Sequence, residues 1–196
     1  MKVTSVAVLL CVGVYGLLIA RAQDVPSAVN AQLPGLLSTY KNLHEDPESS
    51  HQEQQTSVFL ATALRQAGYS VTEHVGKYGD GTQAYGVVSV LENGGGPTVL
   101  VRTDMDALPV EEKTGLPYAS HARARNETSD DVGVMHACGH DLHITTLLGE
   151  ARMLAQMKDR WHGRYARRSQ GGDVGSQVSR GLALTDNGRP VLSIGV

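Results

Sequence analysis

Apolar residues recur at helical spacing through Val29, Leu33, Leu36, Leu37, Tyr40 and Leu43, which predicts an amphipathic helix over residues 26–43 in spite of Pro34 and Gly35. The polar stretch 44–50 carries Pro47 and breaks that pattern. A second helical run carries Thr56, Phe59, Leu60, Ala63, Leu64 and Ala67 and stops at Gly68, a favoured residue just past a helix end. The period then shortens to two. Tyr69, Val71 and Val75 alternate, Gly79-Asp80-Gly81 signals a turn, and the valine-rich stretch 84–91 follows, so two neighbouring strands are expected. A turn over 93–96 leads to Thr98-Val99-Leu100-Val101, a short apolar run of the kind found in buried central strands. A last helix is expected from Asp141 or Leu142 to about Met157, with Asp141 capping its start. This order of elements predicts an α/β layer. Beyond residue 163 no apolar period continues, and the arginine-rich and glycine-rich stretch 164–175 predicts disorder, with at most a small strand at 191–194.

Length and charge narrow the function classes. The 196 residues suffice for one core rather than two complete domains. A net charge of -3 gives no electrostatic reason to expect nucleic acid or an anionic membrane as partner. One Phe and one Trp supply no stacking platform for single strands. The N-terminus has an export pattern: Lys2, an apolar stretch over 6–20, and Ala20-Arg21-Ala22 as a small-x-small cleavage site. The stretch is shorter than the roughly 18 residues that span a bilayer. Residues 1–22 are therefore expected to be a signal peptide cleaved after Ala22, with a secreted or periplasmic product that does not stay in the membrane. Cys11 leaves with that leader, so Cys138 becomes the lone thiol of the mature chain, and metal coordination is one reason for it to exist.

Two segments carry chemistry. Arg102-Thr103-Asp104-Met105-Asp106-Ala107-Leu108-Pro109 places two carboxylates just beyond a buried strand, where open α/β sheets gather ligands. The plainer alternative is that Asp104 and Asp106 only solvate a turn. The second segment puts His136, Cys138, His140, Asp141 and His143 within a few residues of one another, and a thiolate with imidazoles is what zinc and other borderline divalent ions select. In an extended segment His136, Cys138 and His140 share one side. The alternatives are a structural cysteine and histidines satisfied by ordinary hydrogen bonds. Asn126-Glu127-Thr128 also fits an N-glycosylation acceptor, a short pattern that arises often by chance.

Together, Arg-x-Asp-Met-Asp-Ala-Leu-Pro and Met-His-Ala-Cys-Gly-His-Asp-x-His-x-Thr resemble the M20 metallopeptidase family, in its branch of aminoacylase-like amidohydrolases that includes hippurate and indole-acetyl-amino-acid hydrolases. Leu43-His44-Glu45-Asp46-Pro47-Glu48, running on to Glu53 and Thr56, is similar to a third segment of that branch. The resemblance implies part of a mixed-sheet, helix-flanked, zinc-peptidase-like catalytic domain over residues 23–163, without the lid or dimerisation domain through which the family forms homo-oligomers. It implies two divalent ions (Mn²⁺ or Zn²⁺, with Co²⁺ also compatible) and hydrolysis of a small N-acyl amino acid substrate. Cys138 would be the ligand shared between the metals, His140 a ligand to one of them, and Asp104 the carboxylate that orients the site. The family's general base is one of a Glu-Glu pair on a later strand, whereas the last glutamate here is Glu150, so no base is assigned. Residues 164–196 resemble nothing in the family. The expectation is therefore an incomplete amidohydrolase, inactive alone. Its rivals are a noncatalytic truncated or frameshifted fragment that keeps partial metal binding, and a thiol hydrolase using Cys138 with His136 or His140.

Overall fold

The computed structural model describes residues 25–126, 128–170 and 191–195. The expected leader and most of the expected tail lie outside the described residues, as does the middle of the Asn126–Thr128 pattern. The elements in chain order are α1 (Val25–Glu45), α2 (Gln54–Gln66), β1 (Ser70–Lys77), β2 (Gln83–Asn93), β3 (Thr98–Asp104), β4 (Arg123–Arg125), β5 (Asp131–Gly133), α3 (His140–Gln156), a 3₁₀ turn (Lys158–Arg160), β6 (Gly163–Gln170) and β7 (Val191–Gly195). Residues from Gly35 onward form one compact unit.

Five strands form one sheet in the order β1-β2-β6-β3-β7. β1 and β2 are antiparallel, β2 and β6 are antiparallel, and β6, β3 and β7 run parallel. The sheet is therefore mixed, with its parallel half at β3, whose C-terminal end carries the Asp-Met-Asp motif. Between Thr72 and Val75 the β1–β2 register shifts, and Gly86 pairs with Val75 there. A Cβ at Gly86 would lie 2.2 Å from the Val75 carbonyl oxygen, so only glycine lets the two backbones approach this closely.

The helices cover the sheet through one continuous core. Leu60, Ala61 and Leu64 of α2 meet Val87 and Leu91 of β2, and Ile144, Leu147, Leu148 and Ala151 of α3 join them with Val101, Met105 and Tyr165. Ile144, Leu147, Leu148 and Ala151 form the i, i+3, i+4 stripe of α3, whereas on α2 Phe59, expected on the inward stripe, is exposed and Ala61 is buried. No helix among the described residues is long and apolar enough to cross a membrane.

β6 corrects the expectation of disorder from residue 164. Its inward positions Tyr165, Arg167 and Ser169 are buried, and the strand bonds to neighbours on both sides. The alternation is present, but an arginine and a serine occupy positions where an apolar residue would have announced it. Arg167 is 1% exposed. Its guanidinium lies 4.7 Å from the Tyr165 ring centroid and 5.6 Å from that of Tyr69, donates through Nη1 to the Leu147 carbonyl at 2.5 Å, and stands 3.5 Å from Glu150 Oε2. Its Nε has no hydrogen-bond partner. The small strand expected at 191–194 is β7, alongside β3.

Candidate active site

Backbone hydrogen bonds stitch the three sequence motifs together at the end of β3. The Ala107 N–H donates to the Glu48 carbonyl at 2.7 Å, while Leu108 and Met135 exchange bonds of 2.9 and 3.0 Å. The Glu48 side chain accepts from the N–H groups of Gln55 (3.0 Å) and Thr56 (2.7 Å), satisfying the open donors of the first turn of α2. The loop after β3 is thereby held between the two other motif segments.

Gly139, in the left-handed region at φ 77°, turns the chain into α3, and His140 is the first helical residue. The expected cap, Asp141, sits inside the first turn instead; the residue at the cap position is Gly139, with no side-chain cap. His140 Nδ1 lies 2.8 Å from the Asp106 carbonyl oxygen and 3.4 Å from Asp106 Oδ1. A carbonyl only accepts, so Nδ1 carries the proton in the neutral ring and the lone pair sits on Nε2, the arrangement of a metal-ligating histidine with its outer partner. The hydrogen bond to Asp106 raises the His140 pKa above its ordinary value against the opposing effect of burial.

Asp104, expected to orient the site, is ion-paired with Arg102 at 2.6 Å, and burial raises its pKa against the pull of that arginine. The carboxylate residue that touches His140 is Asp106. Sequence spacing cannot choose between the two, since both follow the same strand on the same parity. Cys138 is exposed, and its thiol is free. His136 is 4% exposed with neither ring nitrogen hydrogen-bonded, and burial pushes its pKa down to about 4, so the ring is neutral near pH 7. His143 Nδ1 is likewise buried without a partner, in a ring 5.9 Å from that of His140. Buried ring nitrogens are seldom left unpaired, and these have the chemistry of metal donors. Among the described residues, however, no three His, Cys, Asp or Glu side chains converge as a metal cluster. A catalytic zinc site needs three protein ligands. The described donors therefore fit part of a metal site rather than a closed one.

A buried network anchors the start of α3. His44 Nδ1 lies 2.6 Å from Asp141 Oδ2, and Nε2 lies 3.1 Å from Glu112 Oε1, with the Glu112 side chain fully enclosed. Both partners accept, so the ring carries both protons. Burial opposes that charge, but the bonds to Asp141 and Glu112 outweigh it and raise the His44 pKa above 6.5. Glu112 is held low, in spite of its own burial, by Thr114, the Ser120 N–H and His44. Tyr40 and Tyr118 pack on the imidazole with ring centroids 5.6 Å away.

A cavity of about 620 Å³ opens beside the site, lined by residues 49–52, by 106–109, and by Arg125, Asn126 and Thr128. Asp106 belongs both to this cavity and to the support of His140.

Residues 100–166 match peptidase family M20/M25/M40. This stretch is an M20 peptidase segment. Outside it the likeness extends over most of the chain. The N-acetyl-L-cysteine deacetylase of Bacillus subtilis is 36% identical over 129 residues, which is 66% of this chain and 27% of the relative. The hippurate hydrolase of Campylobacter jejuni is 42% identical over 114 residues, 58% of this chain and 26% of the relative. The crystal structure of the Bacillus subtilis YXEP protein, a dinuclear metal binding peptidase from the M20 family, superposes with a TM-score of 0.58 at 30% identity, covering 71% of this chain and 35% of that one. The chain thus spans between a quarter and a third of the length of these curated relatives. The mixed sheet flanked by helices is the M20 peptidase arrangement over the part covered, and the M20 segment runs from β3 into β6 and contains Asp104, Cys138 and His140.

Proposed function

We propose that this chain supplies part of a divalent-metal amidohydrolase that cleaves N-acyl amino acids. The observation that carries the reading is the geometry at His140: the Asp106 carbonyl fixes the Nδ1–H tautomer and presents Nε2 as a donor two residues from the exposed Cys138 thiol. Relatives named as an N-acetyl-L-cysteine deacetylase and a hippurate hydrolase support the substrate class. The similar structure described as dinuclear metal binding supports a pair of ions. In this reading Cys138 and His140 hold metal, Asp106 orients His140, and the Arg102–Asp104 ion pair stiffens the end of β3.

Cys138 and His140 would hold the divalent ion, which would supply Lewis acidity toward an amide carbonyl and its water. Manganese, zinc or cobalt suits the thiolate and imidazole donors. The proton-transfer base is not assigned, because Glu150, the last glutamate, is bonded to Tyr165 and faces Arg167. The leader pattern over residues 1–22 supports export with cleavage after Ala22.

A second reading, a noncatalytic metal-binding piece, is favoured by the absence of a three-donor cluster among the described residues. The thiol-hydrolase reading has no support in the geometry. No hydrogen bond joins Cys138 to a histidine among the described residues, and His140 Nδ1 is committed to Asp106.

The test is metal content of the purified chain beside Cys138→Ser and His140→Ala, with N-benzoylglycine hydrolysis followed on the same samples. Metal present in the parent and lost in both variants, together with turnover, is the expected result. Metal without turnover selects the second reading, and a folded parent without metal overturns the site assignment.

A further inference from the structure

The cavity beside His140 has a feature that the metal-site residues do not explain. Its walls come from three separate stretches, and one of them is the β4–β5 hairpin, which contributes Arg125. The hairpin is firmly built. Arg125 pairs with Asp131 across the two-stranded ladder, and the Val134 N–H donates to the Ala122 carbonyl at 3.0 Å. Gly133 packs so closely on Glu111 that an added Cβ would lie 2.7 Å from the Glu111 Cα. Across the cavity wall, Gln52 Nε2 reaches the Arg125 carbonyl at 3.5 Å.

The charges around the site are unevenly matched. Arg102 is neutralised by Asp104 at 2.6 Å, and Arg123 by Asp131 at 2.8 Å. Arg125 instead donates through Nη1 to the Ser129 carbonyl at 2.9 Å, and no carboxylate pairs with it among the described residues. Arg125 lines the cavity together with Ser49, Ser50, His51, Gln52 and Asn126, and Asp106 is the carboxylate residue on the same lining. A volume of about 620 Å³ suits a small organic ligand. A guanidinium is the side chain best matched to a carboxylate, which it engages through paired N–H donors.

We propose that Arg125 is a specificity-determining residue that receives the free carboxylate of the N-acyl amino acid. The inference rests on the amidohydrolase reading and deepens it. Asp106 places the same cavity against His140, so a ligand with its amide near Asp106 and an anionic end at Arg125 occupies one continuous space. Substrates that lack the carboxylate lose the Arg125 contact, while an uncharged acyl group contributes only shape and apolar contact with Ala107, Leu108 and Pro109.

The experiment is titration calorimetry of the full chain with N-benzoylglycine and with its primary carboxamide, which keeps the acyl amide and loses the charge. The parent should bind the acid about ten-fold more tightly than the carboxamide, a difference of about 1.4 kcal/mol. Arg125→Gln should abolish that preference and Arg125→Lys should restore part of it. Arg123→Gln, on the same hairpin but paired with Asp131, should leave it intact. Equal binding of the two ligands by the parent, no binding of either, or an unchanged preference in Arg125→Gln overturns the proposal. Metal content measured on the same samples separates this from failure of the parent reading, since loss of ligand preference with metal retained sinks only the role of Arg125.

Discussion

His44 and Asp141 are 97 positions apart in sequence and meet at 2.6 Å, Nδ1 to Oδ2, beneath the first turn of the helix that presents His140. The same imidazole holds Glu112 with its other nitrogen. One side chain therefore ties the end of α1, the loop after β3 and the start of α3, and the direction in which His140 points depends on a contact made below it. Removing one partner of a buried ion pair typically costs about 3–5 kcal/mol, because the remaining charge loses its compensation. His44→Ala should lower the unfolding free energy by an amount in that range, read as a shift of the urea midpoint. A loss below about 1 kcal/mol would show that the network is not charged as described.

The protonation of His44 sets a pH dependence with a definite sign. Its folded-state pKa is raised above the unfolded value of about 6.5. The contribution to stability is thus complete below about pH 6.5 and is lost as pH rises through the higher folded value. Urea midpoints measured from pH 6 to 9 should fall more steeply with pH in the parent than in His44→Gln. Parallel slopes in the two proteins would count against the imidazolium.

Arg167 should prove to be a burden on the fold. Its guanidinium is buried against Tyr69 and Tyr165, with Nε unpartnered. Stacking on aromatic faces returns about 2 kcal/mol when desolvated, whereas burying an ion costs several. Arg167→Met, which keeps the length of the side chain without the charge, should raise the melting temperature and stabilise the fold by about 1 kcal/mol or more. A clear destabilisation would mean that the bond to the Leu147 carbonyl and the Glu150 contact outweigh the desolvation.

Gly86→Ala should weaken the β1–β2 pair. The new methyl would stand 2.2 Å from the Val75 carbonyl oxygen, so one backbone must move. Overpacking of this kind costs about 1–3 kcal/mol. Amide exchange over residues 70–77 should accelerate in this variant more than exchange in α3, and a uniform change would contradict the local origin.

What the sequence disclosed followed the range of the interactions concerned. Helical and strand periods are local, so the helices and β1 to β3 are visible from apolar spacing alone. The Cys138 and His140 pair is visible because both donors lie in one short segment. The His44 network is not, since its members are 68 and 97 positions apart and no local pattern pairs them. Asp141 illustrates the difficulty: an acidic residue near a helix start suggests a cap, yet its Oδ2 is engaged by His44 and the cap position is held by Gly139. The preference of His140 for Asp106 over Asp104 depends on a backbone carbonyl, which no residue type encodes. β6 stayed hidden because Arg167 and Ser169 occupy its inward face.

The position of β6 between β2 and β3 also governs the order in which the sheet can be made. β2 and β3 are consecutive in sequence but share no ladder, since the slot between them is reserved for residues 163–170. As the chain leaves the ribosome, both strands wait with open edges until α3 and then β6 have been synthesised. Long-range closure of this sort is slow, and unpaired edges invite association with other nascent chains. The strand order itself thus makes closure of the sheet wait for residues 163–170.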